Sequence, residues 1–432
     1  MPEMVTDNLA VADLPLLSPW VTPAVLIVVA AVHVMALWRR SNRWLRYWSI
    51  GAALLAAAGV AGVFAVFHDG GINAPIPFWI SVGVVGIAVV TAVAGVPRGR
   101  WWQRMSAAGA IPVAVVAMSL VSNQWLGYFP TTGKAWATIS GQPMTRQVEL
   151  TDLAKLRGTM PSDGRILRLP NNLGPSGFRH RTEYVYLPPA WFAGKERLTA
   201  VVMVGGVLTT PTDWIRAGNA VEAADSYAHT HRGVAPILIF VDPTGSFGND
   251  TECVDSPRGR VESHIVTDVV PWVARNLGQP AGLRFMMAGW SMGGTCAVTL
   301  ALRSPEVFSG FVAISPDRRP AVGDKTTTVR TLFGGDERRW AEHDPLSVMR
   351  SNPQRLRGIS AYYAAAGDQM RTMSGMRTWS SSEIDTARDL ASAGRTAGFT
   401  VATFFVRGGH TWPFAARAFE SALPFLTRPD PR

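Results

Sequence analysis

The feature that most constrains this 432-residue chain is the uneven distribution of its apolar residues. The first ~130 residues contain four long apolar stretches, and the remainder has the mixed composition of a globular protein. Each stretch approaches the ~20 residues that a helix needs to cross a bilayer. They are about Val21–Trp38, Tyr47–Phe67, Pro77–Val96 and Met105–Leu126. We therefore expect a transmembrane region of four helices over residues 1–128.

The charges between these stretches predict their orientation. The N-terminal tail carries acidic residues and no Lys or Arg, while the first and third connections are rich in arginine. By the positive-inside rule, the tail and everything after Leu126 lie outside the cytoplasm. The expected location is thus the plasma membrane, with several spans and an extracytoplasmic C-terminal half. A cleaved signal peptide or buried core helices are the alternative interpretations, and the acidic tail disfavours the first.

Charge and cysteine content exclude several classes of function. The formal net charge is +10, yet no nucleic-acid-binding motif is present, so we expect no nucleic-acid partner. The partners that we expect are membrane lipids and a lipid or cell-envelope ester. Cys253 and Cys296 are the two cysteines, and neither belongs to a CxxC or Cys/His cluster. A metal site and a cofactor are therefore not expected, and a disulfide between the two stays open.

The C-terminal half predicts an α/β fold. After a linker over residues 129–178, short β-branched or aromatic runs alternate with helical patterns through residues 179–432, the predicted catalytic domain. Several runs are continuously apolar, as in strands buried on both faces. This alternation predicts a mostly parallel sheet with helices on both faces. The predicted strands are Glu183–Leu187, Thr199–Val204, Ile237–Val241, Arg284–Ala288, Gly310–Ser315, Ile359–Ala364 and Thr400–Val406.

Ser291 is the candidate nucleophile. It lies in Gly289-Trp290-Ser291-Met292-Gly293, a G-x-S-x-G pattern between a predicted strand and an Ala-rich helix. That context is typical of the nucleophile elbow of α/β-hydrolases, in which a sharp turn exposes the serine at a helix N-terminus. A glycine-rich turn without chemistry is the alternative.

A serine nucleophile needs a base, and this fold orders its triad as Ser, then Asp or Glu, then His. Only His343 and His410 follow Ser291. His410 comes after the last predicted strand, behind two glycines, and is the predicted base. His343 lies in a charged connection and is expected at the surface.

Asp368 is the predicted acid of the triad, because it comes just after the strand that ends near Ala364. The acid orients the imidazole and stabilises its charged form. Glu383 and Asp385 are rivals, although both look like the first turn of the next helix, where acids are common.

An oxyanion hole needs two backbone N–H groups. One is expected from Met292, the residue after the nucleophile. The other is expected from Gly206 or Val207, in the loop that follows the strand ending at Val204.

The C-terminal half resembles the esterase D and antigen 85 (mycolyltransferase) branch of the α/β-hydrolases, from about Arg179 to Leu426. The similar segments are Gly289–Gly294, Val261–His264 with Val270–Trp272, Trp340–Pro345, Gly367–Met370 and His410–Trp412. The resemblance implies triad roles for Ser291, Asp368 and His410, and places Trp412 beside the acyl acceptor. Trp290 is a further expected substrate-binding residue.

Two departures from antigen 85 bear on the reaction. Antigen 85 proteins use a Glu a few residues later than Asp368, and their D-G-x-R-A-Q loop reads Gly205–Thr210 here. The predicted function is a membrane-anchored extracytoplasmic serine esterase, and membrane hydrolases that remove aminoacyl groups from phosphatidylglycerol share this architecture. The alternatives are an acyltransferase that uses a carbohydrate or lipid acceptor, and a catalytically idle membrane scaffold.

Overall fold

The computed structural model describes residues 13–37, 43–67, 75–95, 100–194, 197–278, 283–371 and 377–428. The chain forms two compact units, residues 1–142 and 143–432. The boundary between them falls inside the segment that the sequence predicts to be a linker.

The N-terminal unit is helical. Its four apolar helices are α1 (Val21–Leu37), α2 (Arg43–Phe67), α3 (Ile76–Gly95) and α4 (Trp101–Leu126), and a short helix α5 (Thr132–Ile139) follows. Helix α4 ends at Gly127, which adopts the left-handed conformation (φ 68°) that commonly terminates a helix.

The expectation of four transmembrane helices is not confirmed. Among the described residues, two helices are long and apolar enough to cross a membrane, over Ile76–Val93 and Trp101–Leu126. In the first two helices, the described apolar segments are Val21–Ala36 and Tyr47–Gly62. The predicted connections at residues 38–42, 68–74 and 96–99, which carry much of the orientation argument, lie outside the described residues.

The second unit is built on a mixed sheet that is parallel through its centre. Its spatial order is β1-β2-β3-β5-β4-β8-β9-β10-β11, with β12 also paired to β10. Strands β5, β4, β8, β9, β10 and β12 run parallel to their neighbours within that group. The strands are β1 (Gln147–Val148), β2 (Arg165–Arg168), β3 (Tyr184–Leu187), β4 (Ala200–Val204), β5 (Ile237–Val241), β8 (Phe285–Trp290), β9 (Phe308–Ile314), β10 (Ser360–Arg371), β11 (Arg377–Ser380) and β12 (Thr400–Arg407), with a separate hairpin of β6 (Asp255–Ser256) and β7 (Gly259–Arg260).

Helices connect these strands. They are α6 (Leu153–Leu156), α7 (Pro189–Ala193), α8 (Asp213–Arg216), α9 (Ala220–Thr230), α10 (Val261–Ser263), α11 (Val270–Asn276), α12 (Met292–Arg303), α13 (Lys325–Phe333), α14 (Glu337–Ala341), α15 (Pro345–Ser351), α16 (Ser382–Thr396) and α17 (Trp412–Leu426). A π-helical segment, His264–Val269, joins α10 to α11.

Both faces of the central sheet are covered. Successive side chains of a strand point to opposite faces. Val202 and Val204 belong to one large core cluster, whereas Val201 and Met203, which also have no exposed surface, alternate with them. This burial explains why the central strands are continuously apolar, and it confirms the α/β architecture predicted from the sequence.

Candidate active site

Ser291 occupies a strained turn between β8 and α12. Its backbone has φ 61° and ψ −128°, a region that residues with a side chain rarely adopt. Its N–H donates to the Ile314 carbonyl at 2.9 Å, and its own carbonyl accepts from the Gly294 and Thr295 N–H groups. These bonds fix the turn from both sides, as a nucleophile elbow requires.

Glycine is required at the elbow because three backbone segments meet there. A side-chain carbon on Gly289 would lie 2.0 Å from the Gly293 carbonyl oxygen. One on Gly293 would lie 2.2 Å from the carbonyl oxygen of Val204, at the end of β4. The G-x-S-x-G spacing thus lets strand β8, helix α12 and the β4 loop approach closely.

The β4 loop brings Gly206 next to the nucleophile. A side-chain carbon on Gly206 would lie 3.4 Å from Cβ and 3.8 Å from Oγ of Ser291. The Gly206 carbonyl accepts from the hydroxyl and the N–H of Thr209, which orders the loop. Met292 is the first residue of α12, so its N–H belongs to the four that have no partner within the helix. Met292, Gly206 and the adjacent Val207 therefore remain the oxyanion-hole candidates.

His410 lies just past the carboxyl end of β12. The Gly408 N–H donates to the Gly367 carbonyl at 3.3 Å, which ends the pairing with β10 and releases the chain toward His410. The imidazole ring lies 4.9 Å from the ring of Trp290, the residue before the nucleophile. Its side chain is 40% exposed, so solvent and substrate can reach it.

Glu383, and not Asp368, pairs with His410. Oε1 of Glu383 lies 3.0 Å from Nδ1 of His410. Burial acts to raise the pKa of Glu383, but the hydrogen bond and the charge of His410 outweigh it, and the pKa is lowered. Glu383 is therefore ionised at neutral pH and can orient the imidazole through Nδ1, which leaves Nε2 for the substrate side.

Glu383 takes the place predicted for Asp368 because strand β10 extends further than the sequence predicts. The sequence predicts a strand that ends before Asp368, but β10 continues to Arg371 and forms a hairpin with β11. Asp368 lies within this extension, paired with Ser380 and exposed. The chain then returns to Ser381, whose hydroxyl donates to the Ala366 carbonyl at 2.7 Å and caps α16. That return brings the first turn of α16, with Glu383, to the histidine.

His343 is not a surface residue. Its side chain is 1% exposed, and Nε2 lies 3.0 Å from Oε2 of Glu262. Since Nδ1 faces the Arg339 carbonyl at 2.8 Å, both ring nitrogens are engaged in structural contacts. The sequence interpretation of His343 as exposed is therefore wrong.

Trp290 and Trp412 form a buried aromatic group beside His410. They are 6% and 2% exposed, and their rings lie 4.5 Å apart. Trp214 packs edge-on against Trp412 at 5.4 Å. This packing supports the imidazole of His410 from one side, and little surface of either tryptophan is left for a substrate.

One cluster has the composition of a metal site. Donor atoms of His180, Glu183 and His264 lie within 4.8 Å of one another. However, the two ring nitrogens of His264 face carboxylates, Glu183 at 3.1 Å and Asp268 at 3.2 Å. Burial acts to lower the pKa of His264, but these two partners raise it. The imidazolium form that they favour has no lone pair for a metal.

Cys253 and Cys296 form a disulfide, which the sequence left open. It links the loop after β5 to the second turn of α12, the helix that carries the nucleophile at its N-terminus. The loop is thereby held next to the elbow.

A family model matches the second unit of the chain. Residues 178–426 match the model of the Esterase family, described as "Putative esterase". An uncharacterised Corynebacterium glutamicum protein (Cgl0967/cg1104) is 27% identical over 405 residues, 90% of each chain, so the alignment includes part of both units.

Solved structures of similar fold cover about three fifths of the chain. An S-formylglutathione hydrolase from Agrobacterium tumefaciens covers 62% of this chain and 97% of its own, with a TM-score of 0.47 and 17% identity. MPT51 (FbpC1) of Mycobacterium tuberculosis covers 60% of this chain and 97% of its own, with a TM-score of 0.42 and 18% identity.

Proposed function

Because the chain belongs to the Esterase family, which its residues 178–426 match, we propose that it is a serine ester hydrolase with Ser291, His410 and Glu383 as its triad. The pairing of Glu383 with Nδ1 of His410 at 3.0 Å is the observation that carries the proposal. An ionised acid on Nδ1 is what a histidine base needs in order to accept a proton at Nε2.

Each step of the reaction has a group to perform it. The Ser291 hydroxyl attacks the ester carbonyl while His410 accepts its proton, and Glu383 stabilises the imidazolium. The N–H groups of Met292 and of Gly206 or Val207 bind the oxyanion. His410 then gives the proton to the leaving alcohol. Water attacks the acyl-enzyme, with His410 again as base, and Ser291 is regenerated.

We further propose that the reaction takes place outside the cytoplasm, at a membrane surface. Two helices of the N-terminal unit have the length and apolarity of membrane spans, which supports attachment of this unit to a membrane. The disulfide supports an oxidising location, since disulfides are rare in the cytosol. A tethered esterase of this kind acts on a lipid or cell-envelope ester that is presented at the same surface.

Hydrolysis of short p-nitrophenyl esters by the full-length chain in detergent tests the proposal. We expect Ser291→Ala and His410→Ala each to lower kcat/KM by at least about a thousandfold. Ser392→Ala, an exposed position on α16, is the matched control and should retain activity. Activity that survives Ser291→Ala would refute the nucleophile. An acyl-enzyme that transfers faster to added sugar than to water would make the chain an acyltransferase.

A further inference from the structure

Three carboxyl groups lie on two segments that are attached to the beginning of the nucleophile helix α12. The Asp317 N–H donates to Oγ1 of Thr295 at 2.9 Å. Glu252 directly precedes Cys253, whose disulfide partner is Cys296, the next residue along the same helix. Asp250 lies two residues before Glu252 in that loop. The hydrogen bond to Thr295 and the disulfide to Cys296 thus both lie within five residues of Ser291, which is less than two turns of helix.

Two of these carboxyl groups each have one oxygen without a hydrogen-bond partner, although a backbone N–H of Ala321 reaches Glu252 and that of Glu252 reaches Asp250. Glu252 is 2% exposed, and its Oε2 has no hydrogen-bond partner among the described residues. Oδ1 of Asp250 also has no hydrogen-bond partner among the described residues. Arg258 bonds the backbone carbonyl of Asp250 at 2.6 Å. A buried polar atom without a partner is costly, so it normally marks a function or a missing ligand.

The three carboxyl groups interact electrostatically, so their charges lie near one another. Burial raises the pKa of Asp250 to about 6, against the opposing charge of Arg258. Burial and the charges of Asp250 and Asp317 raise that of Glu252 well above its usual range. Asp317 reaches solvent but is densely surrounded by protein, and this burial raises its pKa, while the charge of His410 opposes the rise. Asp317 is thus the member of the cluster that interacts with His410, the proposed catalytic base.

We propose that Asp250, Glu252 and Asp317 form a subsite that binds an ammonium group of the ester substrate. This inference rests on the proposed esterase function, because it names the substrate that the same site takes. A cation offsets the mutual repulsion of the carboxylates, and the several N–H donors of an ammonium suit the oxygens that lack partners. The closeness of Ser291 and His410 makes the occupant part of the molecule that is hydrolysed.

Pairs of esters that differ only in charge test the subsite. The p-nitrophenyl esters of alanine and propionate differ by an ammonium on the acyl side, with spontaneous hydrolysis subtracted. The butyrate esters of 4-(aminomethyl)phenol and 4-ethylphenol differ by an ammonium on the alcohol side. We expect the full-length protein to favour the cationic member of one pair by at least about tenfold in kcat/KM. The pair that shows this preference tells whether the ammonium lies on the acyl or the alcohol side of the substrate.

Variants connect that preference to the cluster. Glu252→Gln and Asp250→Asn should each lower the ratio of kcat/KM for the cationic over the neutral ester severalfold, whatever their effect on either rate. Glu420→Gln, an exposed acid on α17, should keep the ratio of the parent protein.

The two proposals fail in different ways. Ser291-dependent hydrolysis with a ratio near one in both pairs, or a ratio that both cluster variants leave intact, would overturn the ammonium subsite and leave the esterase standing. Absence of Ser291-dependent hydrolysis of all four esters would overturn the esterase itself and the subsite with it.

Discussion

In the proposed triad, the nucleophile Ser291 lies in different surroundings from the base His410 and the acid Glu383. Around the nucleophile, every residue of α12 from Met292 to Leu302 is buried, and the elbow glycines have backbone atoms against them. Around the base and the acid, the side chain of His410 is 40% exposed and the β10–β11 hairpin projects into solvent at Asp368. The nucleophile is held by close packing of the core, whereas the base is held by its hydrogen bond to the acid and by its aromatic contact with Trp290.

This contrast predicts different consequences of mutation on the two sides. Changes near Ser291 should cost stability first, because they disturb packed backbone. Changes near His410 and Glu383 should cost activity while the fold remains.

Gly293→Ala should have the largest effect on folding. The new methyl group would meet the Val204 carbonyl oxygen at 2.2 Å, and a backbone neighbour cannot move aside cheaply. We expect a loss of more than about 4 kcal/mol in the free energy of unfolding, seen as a collapse in folded yield. For comparison, an added carbon on Gly409 has Thr411 Cγ2 as its nearest neighbour, at 4.0 Å. Gly409→Ala should fold normally, and equal yields for the two variants would contradict the packing contrast.

Loss of the disulfide should have the next largest effect. The bridge closes a loop between residues 43 apart, and its removal by Cys253→Ala with Cys296→Ala should cost about 3–4 kcal/mol. Tm under non-reducing conditions should then fall by roughly 6 °C. The parent protein with reductant should show a similar drop. An unchanged Tm in both experiments would mean that packing alone holds the loop on α12.

Glu252→Gln should have a smaller effect, and one that depends on pH. The folded state raises the pKa of Glu252 above its ordinary 4.5. Its destabilising cost is therefore absent below the unfolded pKa, and it grows as pH rises toward and through the folded pKa. We expect the variant to be more stable than the parent at pH 8, by on the order of 1 kcal/mol, and similar to it at pH 4. Equal destabilisation at both values would show that the carboxyl group is satisfied by hydrogen bonds.

The same contrast explains what the sequence could predict. The elbow is a local pattern, so Ser291 and Met292 can be predicted from the residues next to them, and the Gly206 loop from the strand that precedes it. The central strands are continuously apolar, and their predicted bounds lie within a few residues of those observed for β4, β5, β8 and β9.

The proposed acid cannot be predicted from such a local pattern, because its position depends on the pairing of strand β10 with β11. Asp368 and Glu383 both follow β10, and only the hairpin of β10 with β11 decides which of them reaches His410. A Glu some residues after Asp368, as in the antigen 85 proteins that the chain resembles, was the available signal. His343 was misjudged for a similar reason, since its burial depends on Glu262, which is 81 residues away in the sequence.

A comparison of Glu383→Gln with Asp368→Asn tests the central claim most directly. Both variants remove one negative charge within the same chain segment, so kcat/KM on a p-nitrophenyl ester can be measured beside Tm for each. Glu383→Gln should lower kcat/KM by at least about a hundredfold, because the imidazolium loses its counter-charge. Asp368→Asn should stay within about twofold of the parent, as expected for an exposed position. A large loss in Asp368→Asn with activity retained in Glu383→Gln would contradict the assignment of Glu383 as the acid.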